Sequence, residues 1–207
     1  MYILDSIARE KAAREMNGQN IGSIECLIKE SAARCIPGYE CLEAFYREIH
    51  DLDYDHQGLT PAQYMEHPLR VSRLAASYVA EVNLNHIKLA LCHNVLELVG
   101  SSSALLPRSL EPMMHQLQIL QVDRTMQWDK RYKEQYYQSV KTDNVAACIK
   151  TLDKLDNLYV LHRNPDPDTK ARYLEEIFEY VLPLTEQFVP AVADKAREVA
   201  DYQQLRL

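Results

Sequence analysis

The 207-residue chain carries 23 Lys and Arg against 30 Asp and Glu, a net charge of −7. That length suffices for one domain with a continuous core. The acidic balance argues against general nucleic-acid binding, which needs surplus cations to neutralise a phosphate backbone; a small phosphorylated ligand needs only a local group of Lys and Arg. With only five glycines and many Leu, Ala, Glu, Lys and Gln, the composition favours helix over sheet.

Apolar residues spaced three and four apart recur almost throughout, the signature of amphipathic helices. Residues 4–16 and 23–36 read as helices, the second stopped by Pro37-Gly38. Leu42, Phe45, Tyr46 and Ile49 line one face of the next. Residues 51–66, with Asp51, Asp53, Asp55, Gly58 and Pro61, read as a loop. Pro68 then suits the first turn of a helix running to about Val82, and Asn85 suits the cap of a helix from His86 to Val99. A Ser-rich connection from Gly100 to Pro107 leads to helices near 109–121 and 127–140. Thr142 or Asp143 can cap a helix from Asn144 to about Leu161. Asn164-Pro165-Asp166-Pro167-Asp168 breaks the chain sharply, and two helices follow, the last restarting near Pro190. No repeat or domain boundary stands out. The expected architecture is all-α and a single domain over 1–207, with residues 1–45 an added helical hairpin.

Cys26, Cys35, Cys41, Cys92 and Cys148 are odd in number and form no C-x-x-C pair, which suits free thiols in a reducing compartment. No signal-peptide core and no membrane-spanning apolar run is read, so the expected location is cytoplasmic.

Three separated fragments put metal-ligand or acid–base side chains into segments that otherwise read as helix. They are Glu66-His67-Pro68-Leu69, His93-Asn94-Val95-Leu96-Glu97, and Lys150 through Asn157. Each residue has a plainer reading when taken singly. His67 reads as a partly exposed helix-start residue, His93 as a satisfied core histidine, Asp153 as a partner in a surface ion-pair array between two lysines, and Glu97 as a solvated or ion-paired side chain. Brought together, two histidines and an aspartate make a mixed nitrogen–oxygen site for a divalent cation. On the helix through residue 93, His93 and Glu97 are four apart and share a face, with Asn94 adjacent; on the helix through residue 153, Lys150, Asp153, Lys154 and Asn157 cluster on one side.

In order and context these fragments resemble the HD-domain metal phosphohydrolases, and most the hydrolase domain of the RelA/SpoT-type (p)ppGpp enzymes. Tyr64-Met65-Glu66-His67-Pro68-Leu69-Arg70-Val71 is similar to the family's tyrosine, His-Pro-Leu and valine. Leu89 through Glu97 resembles the stretch that holds its His-Asp pair, and Ile149 through Leu158 its Lys-x-x-Asp-Arg/Lys-Leu-x-Asn segment. The resemblance organises residues 50–165. It implies an HD-domain helical fold and a divalent metal, usually manganese, held by His67, His93 and Asp153, with Asn94 on the fourth ligand position. Glu97 falls on the first residue of the family's acidic pair, and Asn157 on a nucleotide-contacting asparagine. Two departures stand out: Asn94 replaces the aspartate of His-Asp, and Leu98 replaces the second acid. The basic residues that precede the family's His-Pro are also missing around Gly58.

The activity implied is hydrolysis of a phosphate ester or pyrophosphate in a nucleotide-like small molecule, such as a guanine nucleotide. A divalent ion polarises the phosphorus–oxygen bond and makes water more acidic. Glu97 is the candidate acid–base residue, and Lys150, Lys154, Arg70 and Arg73 are candidates for the phosphates. The neutral amide of Asn94 can ligate a hard cation, but more weakly than a carboxylate. The rival expectation is a degenerate HD domain that binds a nucleotide or a protein without turnover. The tract from Trp128 to Lys133 with Tyr136-Tyr137 mixes cations and aromatics and reads as an amphipathic helix bordering the substrate cleft. No glycine-rich phosphate loop or G-x-S-x-G elbow is present.

Overall fold

The structure is a computed structural model that describes residues 23–54, 60–99 and 106–206. The expected helix over 4–16, Gly58 and most of the Ser-rich connection lie outside the described residues. Every regular element among the described residues is helical, so the all-α expectation holds. The chain divides into two compact units, one ending at Gln121 and the other spanning Val122–Leu207.

In the first unit α1 (Ile24–Ala33) is followed by a short 3-10 turn and α2 (Leu42–His50). The helix α1 ends at Ala33, four residues before the expected stop at Pro37-Gly38. Cys35 takes a left-handed φ of +53°, while its N–H bonds to Ala32 O and that of Ile36 to Ser31 O. These paired bonds close the last turn as a Schellman stop. Leu42, Phe45 and Ile49 of α2 are buried, and Tyr46 is half-buried.

Next comes α3 (Pro61–Tyr78), and its start corrects the sequence reading. Residues 61–66 are helical, and Pro68 lies inside the helix rather than in its first turn. The cause is a capping box. Gln63 N–H donates to Thr60 Oγ1 at 3.3 Å, and Thr60 N–H donates to Gln63 Oε1 at 2.9 Å. With Pro61 preset for the first helical position, this outcompetes Pro68 as a start signal. One turn on, the buried Ser72 hydroxyl donates to Pro68 O at 2.8 Å.

The helix α4 (Leu84–Cys92) packs most extensively against α3. Its cap is Asn83, whose Oδ1 accepts from the N–H groups of Asn85 and His86; the expected cap, Asn85, is already inside the helix. The expected run to Val99 is also broken. It stops at Cys92, and α5 (Val95–Leu98) begins a new short turn after Asn94, whose backbone sits near φ −102°, ψ 7°. A 3-10 turn at Arg108–Met113 and α6 (Met114–Leu120) complete this unit. Leu27, Met65, Leu74, Ile87, Leu89 and Leu91 fill its core.

The second unit is built around α8 (Asn144–Leu158), buried from Ala146 through Asp153. Asp143 caps it, its Oδ1 accepting from Ala146 N–H at 2.9 Å. Around it lie α7 (Lys130–Val140), α9 (Pro167–Glu176), α10 (Leu182–Phe188) and α11 (Ala193–Gln204). A π-helical turn at Ile177–Val181 joins α9 to α10. Gln203 Nε2 donates to Leu158 O at 2.9 Å and ties α11 to the end of α8.

Candidate functional site

The packing of α3 on α4 brings two of the expected ligands together. His67 and His93 meet edge-on, ring centroids 5.2 Å apart and planes at 68°. His67 is half-buried and His93 is buried. Nδ1 of His93 lies 2.7 Å from Ala90 O. A carbonyl can only accept, so Nδ1 carries the proton, and in the neutral ring Nε2 carries the lone pair. A backbone carbonyl that fixes the tautomer in this way is a common support for a metal-ligating imidazole.

The break after Cys92 decides what surrounds this pair. His93 closes α4, and Glu97 sits in α5, so the two are not on one continuous helical face. Asn94 and Glu97 are both half-buried. Arg70, also half-buried, follows His67 on α3. Arg73 faces α1, where its Nε and Nη2 reach the Glu30 carboxylate at 2.8–3.1 Å. This forked pair braces α1 against α3.

The second unit holds the remaining candidates on one side of α8. Asp153 accepts from Lys150 Nζ at 3.1 Å on Oδ2 and from Asn157 Nδ2 at 2.9 Å on Oδ1. The Lys150–Asp153 pair is 6% exposed at each side chain, so it is a buried ion pair rather than the solvated array that two flanking lysines suggest. One turn on, Lys154 Nζ lies 2.7 Å from Glu176 Oε1. Tyr137 OH donates to the same oxygen at 2.6 Å, and Lys133 Nζ stands 3.9 Å from Oε2.

Aromatic rings wall this charge cluster. Lys150 lies over Tyr136, Lys154 over Tyr173 and Lys133 over Trp128, at 4.6–5.5 Å from the ring centroids. Burial lowers the pKa of Lys154, Lys150 nearby lowers it further, and Glu176 opposes both. For Glu176 burial acts upward, but Lys154 and then Tyr137 outweigh it, and the carboxyl is held below its ordinary 4.5. The two shifts pull the pair in opposite senses. We take the carboxylate as ionised, since a 2.7 Å ammonium contact and a donated hydroxyl both stabilise its charged form.

Glu176 and Tyr173 were not singled out by sequence, whereas Lys133 and Tyr137 were read as part of an amphipathic tract bordering the cleft. In Glu175-Glu176 nothing marks the second residue as the inward one. The available signal was the amphipathic tract of α7, whose Lys133, Tyr136 and Tyr137 share a face.

No protein-family profile matches the chain, and no curated protein sequence does. A solved structure described as a metazoan ortholog of SpoT that hydrolyzes ppGpp and plays a role in starvation responses is similar. It aligns with a TM-score of 0.58 at 19% identity over 81% of this chain and 95% of that one. At that identity the likeness shows the fold alone, an all-α HD-domain fold. Among the described residues no helix is long and apolar enough to cross a membrane, and all five cysteines are free thiols.

Proposed function

We propose that this chain is a divergent HD-domain metal-dependent phosphohydrolase, (p)ppGpp hydrolase-like, acting on a phosphate ester or pyrophosphate of a nucleotide-like small molecule. The observation that carries the reading is the His67–His93 pair, with His93 held by Ala90 O in the tautomer a ligand needs. Asp153 supplies a carboxylate and Asn94 an amide oxygen. Two imidazoles with two oxygens suit a manganese-like divalent ion better than a soft metal. Such an ion would polarise the phosphorus–oxygen bond and lower the pKa of water.

The chain's own groups do the rest. Glu97 takes the proton of the attacking water and returns it to the leaving oxygen as the new phosphorus–oxygen bond forms. Lys150, Lys154 and Arg70 contact the phosphates, and Asn157 contacts the nucleotide. Arg73, already forked onto Glu30, serves that surface by holding α3 in place. We place this activity in a reducing cytoplasm, where the free thiols persist.

One observation favours a second reading, a degenerate domain that binds a nucleotide or a partner protein without turnover. Lys150 already neutralises Asp153, and Asn94 and Leu98 withhold two acids that the resembling family has. Phosphate release from a nucleotide panel headed by a guanosine pyrophosphate, with added manganese, separates the two. Wild-type turnover lost in Glu97→Gln supports the enzyme. A silent wild type that keeps nucleotide binding, with activity gained in Asn94→Asp/Leu98→Asp, supports the binding module. Full turnover in Glu97→Gln overturns the role given to Glu97.

A further inference from the structure

Both oxygens of the Asp153 carboxylate are engaged from within α8, Oδ2 by Lys150 Nζ at 3.1 Å and Oδ1 by Asn157 Nδ2 at 2.9 Å. An amide donor and a divalent cation can share a carboxylate, because the amide carries no net charge. An ammonium cannot do so cheaply. Held 3.1 Å from Oδ2, it would repel a cation bound to the same carboxylate, and with its side chain 6% exposed little water screens that repulsion.

Lys150 also cannot simply withdraw. An ammonium this deeply buried is costly without an anionic partner. Glu176, a neighbouring carboxylate, is already engaged by Lys154 at 2.7 Å and by the Tyr137 hydroxyl at 2.6 Å. An anion brought in from outside would let Lys150 leave Asp153. Lys154 nearby marks where a second ammonium would meet it.

We infer that Lys150 is a built-in competitor for the metal, and that a phosphoryl group relieves the competition by taking the ammonium away from Asp153. Metal and phosphate then load cooperatively: each makes the other bind more tightly, by the same factor. The inference rests on the metal-site reading above and concerns its regulation. Little ion would be held at rest, and the site would fill when substrate arrives. No covalent step is involved. One ion pair, ammonium with carboxylate, is exchanged for two, ammonium with phosphate and carboxylate with metal.

The test is calorimetric titration of the full chain with Mn2+ alone, repeated with millimolar inorganic phosphate, with no turnover needed. In the wild type, phosphate is expected to tighten Mn2+ binding at least about fivefold. Lys150→Met should bind Mn2+ about tenfold more tightly than wild type without phosphate, and should lose the phosphate effect. Lys150→Arg keeps the charge and should stay as weak as the wild type, which guards against mere repacking by methionine. Circular dichroism melts establish that each variant is folded. Mn2+ binding that is unchanged or weaker in folded Lys150→Met, or a phosphate effect that survives there, overturns the inference and leaves the metal site standing. Mn2+ binding absent from wild type and Lys150→Met alike, with or without phosphate, overturns both.

Discussion

Replacing Glu176 by Gln tests the charge cluster at its centre while keeping the side chain's shape. In the wild type the carboxylate stands 2.7 Å from Lys154 Nζ and 3.9 Å from Lys133 Nζ, with all three side chains 10–13% exposed. With an effective dielectric near 20, Coulomb's law gives about 6 and about 4 kcal/mol of gross attraction for these separations. Desolvation cancels much of that. What remains on removing one partner is the cost of buried ammoniums left without their carboxylate, about 3 kcal/mol. The Gln oxygen can still accept from Tyr137, so the loss is electrostatic rather than a cavity. Trp128 is the only tryptophan in the chain and belongs to the second unit. Its fluorescence during urea unfolding therefore reports the unit that is perturbed. The pH dependence adds a second check. Because the folded carboxyl is held below its ordinary 4.5, its stabilisation is fully present above that value and is lost as the pH falls below it. The gap between wild type and Glu176→Gln should be about 3 kcal/mol at pH 7 and should close under acid. A gap under about 1 kcal/mol at pH 7, the scale of an exposed pair, or one that widens below pH 4.5, refutes the reasoning.

In the proposed metal site, Asn94→Asp should tighten Mn2+ binding about tenfold, or about 1.4 kcal/mol. His93→Ala should abolish it, and equal calorimetric affinities in both variants would remove the site from the account. Thr60→Ala deletes half of the capping box and should lower stability by about 1 kcal/mol in urea; no change would mean that Pro61 alone sets the start of α3. Cys35 holds a φ of +53°, so Cys35→Gly should raise stability by roughly 0.5–1 kcal/mol, and a loss would show that its side chain matters more than its backbone. In thiol labelling of the native protein, exposed Cys35 should react first. Cys148, pushed up to about 11 by burial and then by Asp143, should lag, and Cys92, buried and raised further by the same cause, should come last. Early labelling of Cys92 would contradict its burial.

Periodicity made the helices legible because each one buries a face, and a three-four apolar spacing is what such a face requires. The cap of α8 was legible to within one residue, as Thr142 or Asp143, and the structure selects Asp143. No rival start signal follows there, whereas Thr60-Pro61 competes with the later Pro68. A sequence shows two start signals but not which one wins until the capping box has formed. The break at His93-Asn94 left no such trace, since neither residue is a helix breaker and the apolar run continues through Val95 and Leu96. It interrupts the helix between His93 and Glu97, so shared-face reasoning has a continuous helix to rest on in α8 and none at α4. The aspartate of α8 was legible as a candidate ligand from the segment around it. Its partner Lys150 was read as a phosphate contact, because spacing does not report that a lysine three residues earlier turns inward.

The departures from the resembling family and the inward turn of Lys150 bear on one another. In the proposed site each missing acid shifts more of the work of neutralising positive charge onto the carboxylates that remain. Asn94 offers an oxygen without charge and Leu98 offers none, so a divalent ion would rely mainly on Asp153. The buried ammonium of Lys150 makes the same demand, at 3.1 Å. A complete acidic set could satisfy both cations together, whereas this one makes them rivals. Restoring the acids at 94 and 98 should therefore strengthen metal binding and, in the same titration, weaken the dependence of that binding on phosphate. If Asn94→Asp/Leu98→Asp gains metal affinity while its phosphate dependence stays as large as in the wild type, the rivalry does not arise from the missing acids.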